Sequence, residues 1–339
     1  MRRLPVYILL DCSESMVGDA INSVQQGLDV LLNTLRTDPH ALETAWVSII
    51  TFNTEAEQLV PLTELIELQT PKLTVRPGTC MGKALSLLQN CIEGEVRKTS
   101  SERRGDYRPL VFLLTDGQAT DDWTTVKRAV DSMTEPKIAN FYAIGCGDDV
   151  DYGILSEVSD AVFKVSDMTP ETMSKLFIWL TASVRSASVG ATTDEKYAGV
   201  DLSKKPAEVA HVPPGNYPRY DGLPLQVFLK SFCMTQKKPY LMRFRLSAGT
   251  ETYDPLTAHK LDISREAASS FNVPTVQASQ LNGMPRCPYC ENPQILFCSC
   301  GALMCLPVYP PKTVECPSCL VSGELGAVEG DFDINTSAG

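Results

Sequence analysis

The sequence predicts an α/β protein: a mostly parallel, Rossmann-like sheet with helices on both faces, followed by a small β-rich, cysteine-organised module. Three observations carry this. The apolar runs Val6-Tyr-Ile-Leu-Leu10 and Val111-Phe-Leu-Leu114 each stop at a polar turn holding an aspartate, as parallel strands buried on both faces do. Around them, segments with apolar residues at helical spacing alternate with further short apolar runs, which argues crossover helices. Near the far end, seven of the twelve cysteines crowd between Cys287 and Cys319.

After the first strand, Ile21, Val24, Leu28, Leu31, Leu32 and Leu35 recur at helical spacing, and this helix should end near Asp38-Pro39. Ala45 to Phe52 reads as a strand with a hairpin partner from Ala56 to Leu62. A loop from Pro71 to Thr79 leads into a helix carrying Met81, Ala84, Leu85, Leu88 and Ile92. Residues 95–108 are charged and aperiodic, and read as a mobile surface loop with solvated Arg103, Arg104 and Arg108. Past the second buried run, Asp121-Asp122 caps a helix with Trp123, Val126, Val130 and Met133. Ile138 to Cys146 is the next strand, Leu155 to Val158 a short helix, Ala161 to Val165 the last strand. Pro170 opens the last helix, at a position where proline loses nothing.

Composition changes at Ser183, and prolines then block helix through 224. Residues 225–246 give two strand-like runs around Thr235–Pro239, a hairpin, and residues 247–284 carry no clear pattern. The expected organisation is an α/β domain over 1–188, a linker with that hairpin over 189–285, a cysteine-rich module over 286–328 and an acidic flexible tail over 329–339. With 339 residues the chain has room for about two domains. Its net charge of −11 argues against a nucleic-acid partner. The apolar run after Met1-Arg2-Arg3 stops at Asp11 and is read as a strand, not a signal peptide. No apolar stretch approaches the roughly 20 residues that span a bilayer, so no membrane partner is expected. Clustered cysteines beside scattered ones suggest a metal site and buried thiols in a reducing cytoplasm.

Asp11, Ser13 and Ser15 put three oxygens at the end of the first strand, and Asp116 stands at the end of another. Open α/β sheets bind ligands at these carboxyl ends, and such hard oxygens suit Mg²⁺. Thr79 follows in its own loop after Pro77-Gly78. Asp11, Ser13, Ser15, Thr79 and Asp116, in this order on three loops, resemble the metal-ion-dependent adhesion site of von Willebrand factor A domains. The resemblance implies that the serines and the threonine coordinate Mg²⁺ (or Mn²⁺ or Ca²⁺), with the aspartates often acting through water. Pro77, where relatives commonly carry glycine, stiffens the threonine loop and removes no ligand.

Cys287-Pro-Tyr-Cys290 and Cys316-Pro-Ser-Cys319 are paired C-P-x-C knuckles, and together they make the simplest single Cys₄ zinc site. Cys298, Cys300 and Cys305 are then left over. They hold a second zinc only with a fourth ligand from outside, unless Cys300-Gly301, itself knuckle-like, displaces one pair. No histidine lies in the module, which favours a structural ion over a catalytic one. An amino-terminal A domain followed by this cysteine pattern is similar to TerY-like proteins of bacterial tellurite-resistance and stress systems. That resemblance implies association with a protein kinase and a PP2C-type, metal-dependent phosphatase.

Three classes of function compete. A Mg²⁺-dependent interaction scaffold would take an Asp or Glu of a partner onto the ion. A Mg²⁺-dependent phosphohydrolase or phosphotransferase using Asp11 as nucleophile is the alternative. Such enzymes of the haloacid-dehalogenase type place a second acid two residues on. Here that position is Ser13, so catalysis is not expected. Nucleic-acid recognition by the cysteine module is weak beside the acidic Glu324, Glu329, Asp331 and Asp333.

Overall fold

The amino-terminal apolar run folds as β1 (Leu4–Asp11), with all eight residues buried. The computed structural model describes residues 2–101, 103–117, 119, 121, 123–134, 137–147, 150–193, 205–213, 226–247, 250–261, 275–307, 309, 311–326 and 333–335. It divides into two units, Met1–Tyr220 and Asp221–Gly339.

In the first unit β1 leads through a short 3₁₀ turn at Glu14–Met16 into α1 (Asp19–Arg36), then α2 (Pro39–Thr44), β2 (Ala45–Phe52) and β3 (Ala56–Glu64). α3 (Met81–Glu95), β4 (Leu110–Thr115), α4 (Trp123–Thr134), β5 (Asn140–Cys146), α5 (Tyr152–Val158), β6 (Ala161–Val165), α6 (Pro170–Thr193) and β7 (Val209–Val212) follow. The seven strands form one sheet in the order β3-β2-β1-β4-β5-β6-β7, parallel except for the two edge strands. Alternation along β1 splits the core between the two faces. Val6, Ile8 and Leu10 join Val24, Leu28 and Leu31 of α1 and Phe177 and Leu180 of α6. Tyr7 and Leu9 join Leu85 and Leu88 of α3 and Val126 and Val130 of α4. This is the layered α/β arrangement expected, with β1 and β4 side by side.

Short elements account for the differences in this unit. Asp38 does not simply end α1: its Oδ1 accepts from the Ala41 N–H at 2.9 Å, capping α2, and its Oδ2 accepts from Arg185 Nε at 2.7 Å. Asp121 does not cap α4. Its carboxylate accepts from the Lys83 N–H at 3.1 Å, at the amino end of α3; Asp122 lies outside the described residues. The segment 95–108, expected to be mobile, is fastened at its far end. Asp106 pairs with Arg3 at 2.5 Å and accepts from the Arg97 N–H at 2.7 Å. β6 is not the last strand, since β7 adds to it with Val209 fully buried. The expected boundary at 188 therefore falls inside α6. Residues 194–204 and 214–225 of the expected linker lie outside the described residues.

In the second unit β8 (Gln226–Cys233) and β9 (Lys238–Leu246) form the expected hairpin, and β10 (Tyr253–Lys260) extends it. β11 (Thr275–Gln277), β12 (Ile295–Phe297), β13 (Leu303–Cys305), β14 (Thr313–Glu315), β15 (Ser322–Glu324) and β16 (Asp333–Asn335) complete it. β13 pairs in parallel with β8, so one five-stranded sheet runs in the order β10-β9-β8-β13-β12. The hairpin is thus not part of a linker beside the cysteine module; the two share a sheet and a core. The tail is not wholly free either. Asp333–Asn335 pairs with β11, and Ile334 is buried in the core of this unit. Residues 329–332 and 336–339 of the expected tail are outside the described residues. Among the described residues, no helix is long and apolar enough to cross a membrane.

α1 approaches α6 closely at Gly27, where an added Cβ would meet the Phe177 ring at 2.2 Å. Gly27→Val should therefore destabilise the first unit by about 1–3 kcal/mol through overpacking. All three tryptophans, Trp46, Trp123 and Trp179, lie in this unit. Denaturant unfolding followed by tryptophan fluorescence reads it alone, and an unchanged midpoint would contradict the packing described.

Candidate metal centres

Where β1 ends, Asp11 is fully buried. Its Oδ1 accepts from the Ser13 N–H at 2.9 Å and its Oδ2 from the Thr115 hydroxyl at 2.5 Å. The Ser13 and Ser15 hydroxyl oxygens are 2.8 Å apart, and Ser15 donates to Asp116 Oδ1 at 2.5 Å. The end of β1 and the end of β4 are thereby joined through side-chain oxygens. Thr79, also fully buried, sits in the third loop. That loop is held by its backbone: Arg76 N–H donates to Cys12 O at 2.9 Å, Thr54 N–H to Pro77 O at 2.7 Å, and Cys80 N–H to Asn53 O at 2.7 Å. Gly78 has φ +88°, and a Cβ there would crowd Thr54 at 3.0 Å, so glycine is required for the turn. Asp121 ties the loop after β4 to the start of α3, just past Thr79. All five oxygen-bearing residues predicted from sequence thus stand on three mutually fastened loops.

The electrostatics ask for a cation. Burial raises the Asp11 carboxyl from 3.8 to about 6, although the hydrogen bonds from Thr115 and Ser13 pull the other way. Burial, then the charges of Asp11 and Asp116, also push up the Cys12 thiol, and the same influences raise Cys146. A buried carboxylate with neutral hydroxyls and a second, half-buried carboxylate matches the donor set of a hard divalent ion.

In the second unit the thiols form two clusters, and they are not the pairing of knuckle with knuckle expected from spacing. Cys233, Cys287, Cys290 and Cys305 converge in one, Cys298, Cys300, Cys316 and Cys319 in the other; within each, the sulfurs lie within 4.8 Å of one another. Cys290 and Cys305 are 3.6 Å apart, Cys298 and Cys319 3.6 Å, Cys300 and Cys316 3.7 Å. Zn–S bonds of about 2.3 Å set tetrahedral sulfurs about 3.8 Å apart, so both clusters fit zinc. The physical reason for the re-pairing is the sheet. Register places Cys305 of β13 beside Cys233 of β8, and the Cys287 knuckle packs over that pair in the same core.

The backbone carries the same signature at each knuckle. The three non-glycine residues with positive φ among the described residues are Lys237, Glu291 and Leu320, at 55°, 60° and 61°. Each lies four residues after a cluster cysteine and donates its N–H to that cysteine's carbonyl: Lys237 to Cys233 at 2.8 Å, Glu291 to Cys287 at 2.8 Å, Leu320 to Cys316 at 2.9 Å. Left-handed backbone costs a side-chain-bearing residue free energy and persists where the surroundings impose it. Cys233, taken from sequence for a buried free thiol, is thus the first cysteine of a third such turn, and the Gln236 N–H points at its sulfur at 3.3 Å. The available signal was arithmetic: seven module cysteines need an eighth, and Cys233 is the nearest one upstream.

A family profile described as von Willebrand factor type A domain matches residues 6–176, and one described as TerY-C metal binding domain matches residues 225–339. A von Willebrand factor A domain-containing protein of Dictyostelium discoideum is 22% identical over 159 residues, 45% of this chain and 16% of that protein. The chain therefore spans only a small part of that relative's length. Among solved structures, a von Willebrand factor type A protein from Catenulispora acidiphila superposes with a TM-score of 0.43 at 20% identity, over 54% of this chain and 43% of that one. The proximal thread matrix protein 1 of the mussel byssus, in a form with a zinc-occupied MIDAS motif, gives 0.39 at 14%, over 54% of this chain and 48% of that one.

Two outcomes follow. The folded, cation-free chain holds the Asp11 proton more tightly than the unfolded chain, so this group's contribution to stability falls as pH rises from about 4 to about 6. Bound Mg²⁺ would offset the buried charge of the ionised Asp11. The shift in tryptophan-monitored melting on adding Mg²⁺ should be larger at about pH 7.5 than at about pH 5; equal shifts would contradict a cation at Asp11. Cys233→Ser should lower bound zinc from about two ions per chain to about one, as counted by elemental analysis. An unchanged count would restore the pairing of the two C-P-x-C knuckles.

Proposed function

Because the chain belongs to the von Willebrand factor type A family and carries a TerY-C metal-binding domain, we propose that it is a Mg²⁺-dependent protein–protein interaction scaffold in a bacterial stress or tellurite-resistance signalling system. One observation carries this reading: Asp11, Ser13, Ser15 and Asp116 are linked by hydrogen bonds around a fully buried carboxylate, with Thr79 in a loop fastened to theirs. Ser13, Ser15 and Thr79 would hold Mg²⁺ (Mn²⁺ or Ca²⁺ as substitutes), with Asp11 and Asp116 behind them. When bound, the ion supplies an electron-poor centre that a partner's Asp or Glu can reach.

The partner we assign is a protein kinase, a PP2C-type phosphatase or both, acting in the cytoplasm. Eight thiols arranged for metal rather than disulfides fit a reducing compartment. The two Cys₄ clusters are read as structural zinc sites holding the second unit together. The protein itself is read as having no catalytic activity, because a hydrolase of this arrangement needs an acid where Ser13 stands, and Ser13 hydrogen-bonds to Ser15 instead.

A carboxylate–metal bond is too small a contact to bind tightly, since stable interfaces bury roughly 1,200–2,000 Å². Neighbouring loops, Glu14 to Asp19, Gln118 to Asp122 and Asp148 to Tyr152, must add area; of these, Gln118, Thr120, Asp122, Asp148 and Asp149 lie outside the described residues. Asp11→Ala and Thr79→Ala should each weaken capture of the kinase or phosphatase at least tenfold without loss of fold, and EDTA should do the same to the unsubstituted chain. Binding indifferent to both substitutions would make the ion structural. Mg²⁺-dependent phosphomonoester turnover abolished by Asp11→Asn would replace the scaffold with the hydrolase.

A further inference from the structure

The two thiolate clusters are built into opposite environments. In the first, Cys233, Cys287 and Cys305 are at most 1% exposed and belong to the hydrophobic core of the unit with Val227, Leu229, Tyr240 and Leu303; Cys290 packs against it. Two of its ligands sit on paired core strands, β8 and β13. In the second, Cys300 and Cys319 are exposed and Cys298 is half-exposed, leaving Cys316 alone buried. None of these four belongs to the core cluster. Cys298 and Cys300 lie in the turn between β12 and β13, and Cys316 and Cys319 between β14 and β15, which are exposed at every position but the half-buried Val314.

We propose that the second cluster is a peroxide-responsive thiolate site, which loses its zinc on oxidation while the first keeps its own. The proposal rests on the reading that both clusters hold zinc. A zinc-bound thiolate stays nucleophilic, and access of the oxidant then decides which sulfur reacts. At an exposed sulfur such as Cys319, the thiolate attacks one oxygen of hydrogen peroxide and breaks the O–O bond, giving a sulfenic acid and hydroxide. The neighbouring Cys298 thiolate, 3.6 Å away, then attacks that sulfur and expels a second hydroxide. Two electrons pass from the thiolate pair to the peroxide, two protons from solvent convert both hydroxides to water, and one disulfide forms. Cys300 and Cys316 are left as the ion's remaining ligands, and two thiolates do not close a tetrahedral site. That pair would no longer hold zinc, and the loop from Thr313 to Glu324 would lose the centre that organises it. The first cluster has no comparably exposed sulfur, and β8, which carries Cys233, is paired with β9 along its whole length.

The test uses the full chain, reduced and zinc-loaded, treated with a few equivalents of hydrogen peroxide. Released zinc is followed with a chromogenic chelator, the state of each thiol by alkylation and peptide mass spectrometry, and β8–β9 by hydrogen exchange. The expected result is about one ion released of two, oxidation confined to Cys298, Cys300, Cys316 and Cys319, unchanged protection in β8 and β9, and recovery with dithiothreitol and zinc. Cys319→Ser, holding only the first ion, should release none at the same dose. Loss of both ions together, loss from the first cluster, or no loss at all would overturn the proposal. A chain holding fewer than two zinc ions before oxidation would sink the two-zinc reading itself.

Discussion

A carboxylate with no exposure at the end of an apolar strand is the constraint that organises the first unit. Asp11 is placed there by the burial of β1 between two helical layers, and an ionised group in that position is costly unless compensated. Hydrogen bonds from Ser13, Thr115 and the Asp116 backbone favour the ionised form, and burial still prevails in raising its pKa. A bound divalent cation would supply the remaining compensation. That requirement explains why three loops converge here and why the Thr79 loop is fastened by backbone bonds that the carbonyls of Cys12, Asn53 and Pro77 accept.

The second unit solves a different problem with another kind of compensation. Its strands β11 to β16 have three residues each, too short to hold themselves. Left-handed turns at Lys237, Glu291 and Leu320 add further cost. Thiolate–metal bonds are strong enough to offset both, which couples folding of this unit to metal binding. The two clusters share that duty unequally, because only one lies under the five-stranded sheet.

Long apolar runs made most of the fold legible. β2 and β6 fall where their runs of apolar residues begin and end, and Asp11, Ser13, Ser15 and Asp116 are local to strand ends that can be read directly, with Thr79 in its own loop just before α3. What was not legible depends on partners distant in sequence. β7 offers four residues, and its place is set by pairing with β6. Asp121 looks like a cap for the helix that follows it, yet it reaches the start of α3, some forty residues earlier in the chain. Cys233 has no second cysteine in its turn to mark it as a ligand. Only the pairing of β8 with β13 brings it to the module. Spacing identified the module's thiols as ligands, but sorting them into sites required the sheet register.

The claim that the buried charge of Asp11 is held for a cation is tested most directly by a crystal structure grown with Mn²⁺ and read by anomalous scattering. The account predicts one manganese peak bonded to the Ser13, Ser15 and Thr79 hydroxyl oxygens in the first unit, separate from the zinc peaks among the thiols. A site without manganese, with Asp11 held by protein hydrogen bonds alone as a neutral acid, would contradict it.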